Sequence, residues 1–170
     1  MKKLFFLLLL GFINIWNLKA QDMKLPPANN NSLFKQIAGT WISEPYDFMG
    51  VKWTDEAEFN WILNNQFMEM KVNTKGDNGF SFKSYGILSV DEEGNYKSWG
   101  FDEWGPVNAV YFEGRVQGNK LTSTGGSKYM KSSSEITVEG NTTTEVVTYS
   151  TKDDSGKETS SSLQLIYHRK

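Results

Sequence analysis

Cysteine is absent from the chain, and histidine occurs once, as His168. The first absence excludes a disulfide scaffold, a thiolate metal site and a lipid-modified N-terminal cysteine, so an exported domain of this size must rest on its hydrophobic core. The second rules out a two-histidine metal site and leaves a Ser-His-Asp triad a single candidate base. Lys and Arg form no cluster, and a nucleic acid or an anionic lipid surface therefore finds no electrostatic footprint. A bilayer-spanning helix is missing too. The longest apolar run, Leu4 to Trp16, falls short of the roughly 20 residues required, and Asn14, Asn17 and Lys19 interrupt its end.

What that run does resemble, led by Met1-Lys2-Lys3, is a secretory signal peptide over residues 1–20 with cleavage after Ala20. Its removal takes three lysines and no acid, leaving 15 Lys and Arg against 20 Asp and Glu. The expected product is a mildly acidic, monomeric protein, secreted or periplasmic, not a lipoprotein, with no membrane span after cleavage; the lack of cysteine fits bacterial export. Residues 21–32, with Pro26-Pro27 and Asn29-Asn30-Asn31, read as a flexible tether, and 33–170 as one domain.

Within that domain, turn chemistry recurs at short intervals: Asn64-Asn65, Asp77-Asn78-Gly79, Glu92-Glu93-Gly94-Asn95, Gly105-Pro106, Gly118-Asn119, Gly125-Gly126, Gly140-Asn141 and Asp153-Asp154-Ser155-Gly156. The runs between have the period of two of half-buried strands. Val51, Trp53, Ala57, Phe59, Trp61 and Leu63 fall on one face, and Lys52, Thr54, Glu56, Glu58 and Asn60 on the other. In the last run Leu163, Leu165, Tyr167 and Arg169 share a face, which puts His168 outside. About ten strands follow, at 38–44, 51–63, 66–74, 80–90, 95–103, 107–117, 119–125, 132–139, 143–152 and 158–169. Ser32 to Gln36 reads as one helical turn capped by Ser32 that turns Leu33, Phe34 and Ile37 inward. The expected fold class is all-β: an antiparallel up-and-down barrel, since closure removes exposed edges. A two-sheet sandwich is the alternative.

Gly39-Thr40-Trp41 resembles the first-strand signature of lipocalins and their calycin relatives. The resemblance implies that Trp41 closes the barrel floor and that a basic residue of the final strand, here Arg169, stacks on it. Three further stretches carry a broader likeness to a largely bacterial, lipocalin-like family without settled activity: Trp61-Ile62-Leu63-Asn64-Asn65-Gln66-Phe67-Met68-Glu69, Tyr85-Gly86-Ile87-Leu88-Ser89-Val90-Asp91 and Trp99-Gly100-Phe101-Asp102-Glu103-Trp104-Gly105-Pro106. Asn64-Asn65-Gln66 departs from that pattern, standing where the family has a Gly-Gly-Arg type of turn.

No catalytic residue or cofactor is assigned. Small barrels resembling nitrobindins hold haem through one histidine near the C-terminus, but His168 alternates outward. The acidic turns Asp91-Glu92-Glu93-Gly94-Asn95 and Asp153-Asp154 lack the spacing of a calcium loop, and no metal is expected. The informative set is aromatic and sulfur-rich: Trp53, Phe59, Trp61, Met68, Met70, Phe80, Phe82, Trp99, Phe101, Trp104 and Tyr111. Such residues either fill the barrel or line a cavity for a small apolar or aromatic ligand. In the second case the expected contacts are Trp53, Phe59, Trp61, Met68, Met70, Trp99, Phe101, Tyr111 and Tyr149, with Asp55, Glu113 and Arg115 as polar handles, unless Glu113 and Arg115 merely pair with each other. A different class is a cofactor-free lyase or isomerase using Tyr85, Tyr111, Glu113, Arg115 and Tyr149. A third is a non-catalytic envelope interaction protein with a filled core, whose Ser/Thr-rich faces at 122–134 and 142–162 are exposed. N-terminal sequencing of the protein recovered from its own source should begin at Gln21; a chain still carrying Met1 to Ala20 would refute the export reading.

Overall fold

The computed structural model describes residues 25–152 and 158–170, so the expected signal peptide and the first residues of the expected tether lie outside the described residues. Helix α1 (Ser32–Ile37) leads into β1 (Gly39–Ser43), β2 (Tyr46–Phe48), β3 (Val51–Ile62), β4 (Phe67–Gly76), β5 (Ser81–Val90) and β6 (Asn95–Asp102). A 3₁₀ turn (Pro106–Asn108) precedes β7 (Val110–Gln117), β8 (Lys120–Gly126), β9 (Met130–Glu139), β10 (Thr142–Lys152) and β11 (Glu158–Arg169). Each strand pairs antiparallel with its successor from β2 to β11, and β1 closes the ring by pairing with both β11 and β3. Because β1 and β2 both lie along β3, they are two halves of one stave. The structure is a closed ten-stave up-and-down barrel, its seam joined where Trp41, Ile42 and Ser43 of β1 meet Arg169, His168 and Tyr167 of β11.

The break in that stave has a local cause. Ile42 is opposite Glu56 and Tyr46 opposite Trp53, so the β1–β2 side carries one residue more than β3, as in a bulge. Pro45 stands in the extra length with no N–H to give, and the Glu44 amide turns instead to the Ile166 carbonyl at 2.7 Å. The run Tyr46-Asp47-Phe48 thus becomes a short strand that the sequence pattern had not separated from a loop.

One end of the barrel is plugged by α1. Its cap is Asn31, one residue earlier than the expected Ser32: the Asn31 Oδ1 accepts from the Leu33 and Phe34 amides at 3.1 and 3.2 Å. Leu33, Phe34 and Ile37 are buried as the pattern predicts, against Trp41, Met68, Leu88 and Val138. Part of the expected tether crosses this end, with the Asn29 amide bonded to the Asn65 carbonyl and the Gln66 side chain donating to the Pro27 carbonyl at 2.7 Å. Leu63 is not on the inner face; it belongs to a tight turn in which Leu63, Asn64 and Asn65 all have left-handed φ, 50°, 57° and 56°. Asparagine tolerates that conformation almost as glycine does, which accounts for a turn built without glycine.

The expected closure stands in place. The Arg169 guanidinium lies 4.4 Å from the Trp41 ring centre and donates to the Ala38 carbonyl at 2.7 Å and to the Gln36 carbonyl, while the Trp41 indole N–H donates to the Ile37 carbonyl at 2.7 Å. Opposite the seam, β7 and β8 approach so closely that a Cβ on Gly114 would sit 1.9 Å from the Thr122 carbonyl oxygen. In unfolding by denaturant, Gly114→Ala should lose about 3 kcal/mol or more by forcing these strands apart, and Asn31→Ala about 1 kcal/mol through the lost cap; an unchanged midpoint for either variant would contradict the packing described.

Candidate functional site

Register decides which residues meet inside the barrel. Trp41, Ala57, Val72, Ser84 and Asp102 form one connected inward row, and stepping by two from it defines the whole inner face. In the half filled by α1 that face is a packed core. Toward the other end it becomes polar, then aromatic.

Asp55 is the centre of the polar zone and is only 6% exposed. Thr74 Oγ1 donates to its Oδ1 at 2.7 Å, and the hydroxyls of Tyr167 and Tyr46 donate to Oδ2 at 3.0 and 3.1 Å. Its own amide donates to Ser43 Oγ at 2.7 Å. A carboxylate withdrawn from water needs such partners, and its three donors come from β2, β4 and β11, while β1 holds the Asp55 backbone amide. Burial first, then the charge of Asp55, pushes both phenols well above the ordinary tyrosine range, so Tyr46 and Tyr167 stay protonated donors. Glu145 of β10 faces the same lumen and accepts from Ser134 Oγ at 2.7 Å. Burial, reinforced by the charge of Asp55 and opposed by the Ser134 hydrogen bond, lifts its carboxyl above the usual glutamate value.

Above this floor stand aromatic walls. Phe82 lies 4.6 Å from Trp104 and 5.9 Å from Trp53, centre to centre; Phe80 closes the group at 6.2 Å from Trp53, and Phe48 meets Tyr149 edge-on at 5.5 Å. Tyr46, Phe48, Trp53, Phe82, Glu145 and Tyr149 all point inward yet keep accessible surface, whereas Phe34 and Met68 at the plugged end have none. The open half is therefore a lumen that the described side chains bury less completely than the plugged half. Among the described residues its mouth carries exposed apolar side chains, Met49, Phe80, Trp104, Val107 and Tyr129, on four neighbouring loops.

The expected ligand contacts divide three ways. Trp53, Asp55 and Tyr149 border the lumen. Phe59, Trp61, Met68 and Met70 face inward but pack into the plugged core, with Phe34 5.9 Å from Trp61. Trp99, Phe101, Tyr111, Glu113 and Arg115 are on the outer wall, which corrects their expected placement. Register fixes this: Trp99 opposes Ile87 and Tyr111, while the inner positions of the same strands hold Ser98, Gly100, Phe112 and Gly114. Glu113 and Arg115 do not pair with each other either, since Glu113 accepts from the Tyr111 hydroxyl at 2.6 Å and Arg115 donates to Asn95. Tyr85 is outside as well, so the acid–base set of the lyase reading shares no lumen, with only Tyr149 inside. Sequence reasoning missed Tyr46, Thr74, Glu145 and Tyr167 as site residues. A signal existed for two of them, because Glu145 alternates with Val147 and Tyr149, and Tyr167 with Arg169.

His168 points outward as expected, Nε2 being 2.8 Å from Glu44 Oε1. Among the described residues no three His, Asp or Glu side chains gather to hold a metal ion, and no helix is long and apolar enough to cross a membrane. Two open grooves of about 650 and 690 Å³ lie on the outer wall, one bordered by Glu56, Lys71, Lys83 and Phe101, the other by Glu113, Arg115 and Glu135. Both are shallow and mix charges of both signs, whereas the lumen is walled and aromatic, the usual character of a small-molecule site.

No family model matches the chain, and no curated protein matches it. Among solved structures, the crystal structure of Rv2717c from M. tuberculosis superposes with a TM-score of 0.64 over 84% of this chain and 99% of that one, at 13% sequence identity. At that identity the likeness concerns the fold alone.

Glu145 gives a pH test of the lumen. With its folded carboxyl held above the ordinary 4.5, the folded state keeps a proton that the unfolded chain releases. The resulting stability is fully present below about pH 4.5 and is lost as pH rises through the folded value. Glu145→Gln should thus change Tm little near pH 4 and raise it by a few degrees near pH 8, as about 1 kcal/mol moves Tm by ~2–8 °C; equal shifts at both pH values would contradict a carboxyl withdrawn from water.

Proposed function

We propose that the mature chain is an exported, lipocalin-like binding protein that holds a small apolar or aromatic molecule in the open half of its barrel. One observation carries the reading: inward-facing aromatics around Trp53, Phe82 and Tyr149 keep accessible surface beneath a mouth rimmed by exposed Met49, Trp104, Val107 and Tyr129. Apolar surface left unburied by a chain able to fill its other half is surface available to a ligand. The flat walls suit a ring system or an extended hydrocarbon, and the hydroxyls and carboxyls around Asp55 supply orientation. Export follows from the leader-like segment at 1–20, with periplasm or medium as destination.

A second reading is favoured by a separate feature, the ladder of exposed rings on the outer wall in which Tyr85 opposes Phe101 and Trp99 opposes Tyr111. Such a patch suits a protein partner. Native mass spectrometry of the protein purified from its own source separates the two. A stoichiometric small molecule, released on denaturation and bound at least tenfold more weakly by Trp53→Ala, is the expected result. A chain that is bare on isolation, and that stays bare after incubation with panels of apolar and aromatic compounds, would sink the ligand reading in favour of the partner.

A further inference from the structure

The polar groups of the lumen are unequal in kind. Carboxyls face its interior from three strands, Asp55 on β3 and Glu145 on β10, with Asp102 on β6 nearer the mouth, where it accepts from the Trp104 amide. Among the described inward-facing strand residues the one cation is Arg169, and it is committed at the plugged end to Trp41 and to the Ala38 and Gln36 carbonyls. The hydroxyl protons of Tyr46, Thr74 and Tyr167 all run to Asp55, and that of Ser134 to Glu145. Their oxygens keep lone pairs that these bonds do not use, so the floor can accept hydrogen bonds, and no cationic side chain of the described strands is set among them. Thr143 Oγ1, in register with Tyr167, is buried with no partner at all, a hydroxyl that a further polar group would satisfy. The walls agree with the floor. Trp53, Phe82 and Trp104, with Phe48 and Tyr149, gather aromatic rings on the inward side, and the face of such a ring attracts a cation held over it.

Resting on the reading of the lumen as a binding site, we propose that its ligand is an organic cation: an amine or quaternary ammonium with an apolar or aromatic body, and not a fatty acid or other anion. The body lies along Trp53, Phe82 and Tyr149. The charged nitrogen sits below them, where Asp55 provides opposite charge, the Glu145 carboxyl lies across the lumen, and the phenol oxygens of Tyr46 and Tyr167 accept the N–H groups of an amine or face the methyl groups of a quaternary ammonium. A carboxylate in the same place would face two carboxyls with no positive group to meet it, an arrangement that is strongly unfavourable away from water. A neutral alcohol of the same body would keep the wall contacts and lose only the charge.

The test compares three ligands of one shape, 2-naphthylmethylamine, 2-naphthylmethanol and 2-naphthoic acid, titrated by calorimetry into the mature chain near pH 7. The amine should bind at least tenfold more tightly than the alcohol, with the acid weakest. Asp55→Asn should bring the amine down to the alcohol's level while the alcohol's own affinity changes less than threefold. Should Asp55→Asn fail to fold, as judged by circular dichroism and thermal melting, Glu145→Gln and Trp53→Ala take its place; the first should weaken the amine selectively and the second both ligands. Acid and alcohol binding as well as or better than the amine would overturn the cation inference and leave the lumen as a binding site. Failure of all three ligands to bind, together with a bare chain from the native source, would overturn the binding reading itself.

Discussion

The contact on which the rest of the molecule depends is the one between the first and last strands. Arg169 lies over Trp41 while its N–H groups reach the Ala38 and Gln36 carbonyls, and the Trp41 N–H holds the Ile37 carbonyl. The stacking contributes about 0.5–2 kcal/mol, a modest sum, but its geometry does three things at once. It seals β1 to β11, it fastens the C-terminal end of α1 across the barrel, and it uses up the one inward cation of the described strands. A ten-stave ring that could have been open at both ends thereby acquires a floor and a mouth.

The proposed site is a consequence of that polarity. Beneath the seam, α1 supplies Leu33, Phe34 and Ile37 to finish a core the staves alone would leave hollow. Beyond it no described element plays the same part, and inward side chains such as Trp53, Phe82 and Tyr149 keep accessible surface. Asp55 stands at the boundary between the halves. Its four hydrogen-bonding partners from β1, β2, β4 and β11 brace the seam from inside, so the carboxyl that lends the lumen its charge also helps hold it in shape. The outer surface pairs, such as Lys71 with Glu69 and Lys120 with Glu135, lie largely in water and contribute little by comparison.

Much of this was legible in the chain. Period-two alternation and turn chemistry located the staves, and the Gly39-Thr40-Trp41 resemblance anticipated the partner of Trp41. What alternation supplies, however, is two sets of residues per strand and no label saying which set is inside. In β6 the large rings of Trp99 and Phe101 suggested the interior, yet the inner set is Tyr96, Ser98, Gly100 and Asp102. The reason is spatial: Gly86 and Gly100 are opposite each other, and a Cβ on Gly100 would come within 2.7 Å of Val110, so the wall is too crowded there for indole or phenyl. The Tyr46 stave was lost for a simpler reason, because three residues behind a proline carry too little pattern to stand out.

The sequence by itself determined the strands other than β2, the plugging turn, the mild acidity and the want of any cysteine or multi-histidine chemistry, because these rest on composition and on neighbours along the chain. Only the tertiary structure decided which aromatics face the lumen, that Asp55 is met by hydroxyls as remote as Tyr167, and that the aromatic wealth is split among core, lumen and outer wall. Those outcomes depend on closure: one register choice at β1–β11 and β1–β3 propagates around the barrel and turns every side chain in or out together, and no local window of sequence contains that choice.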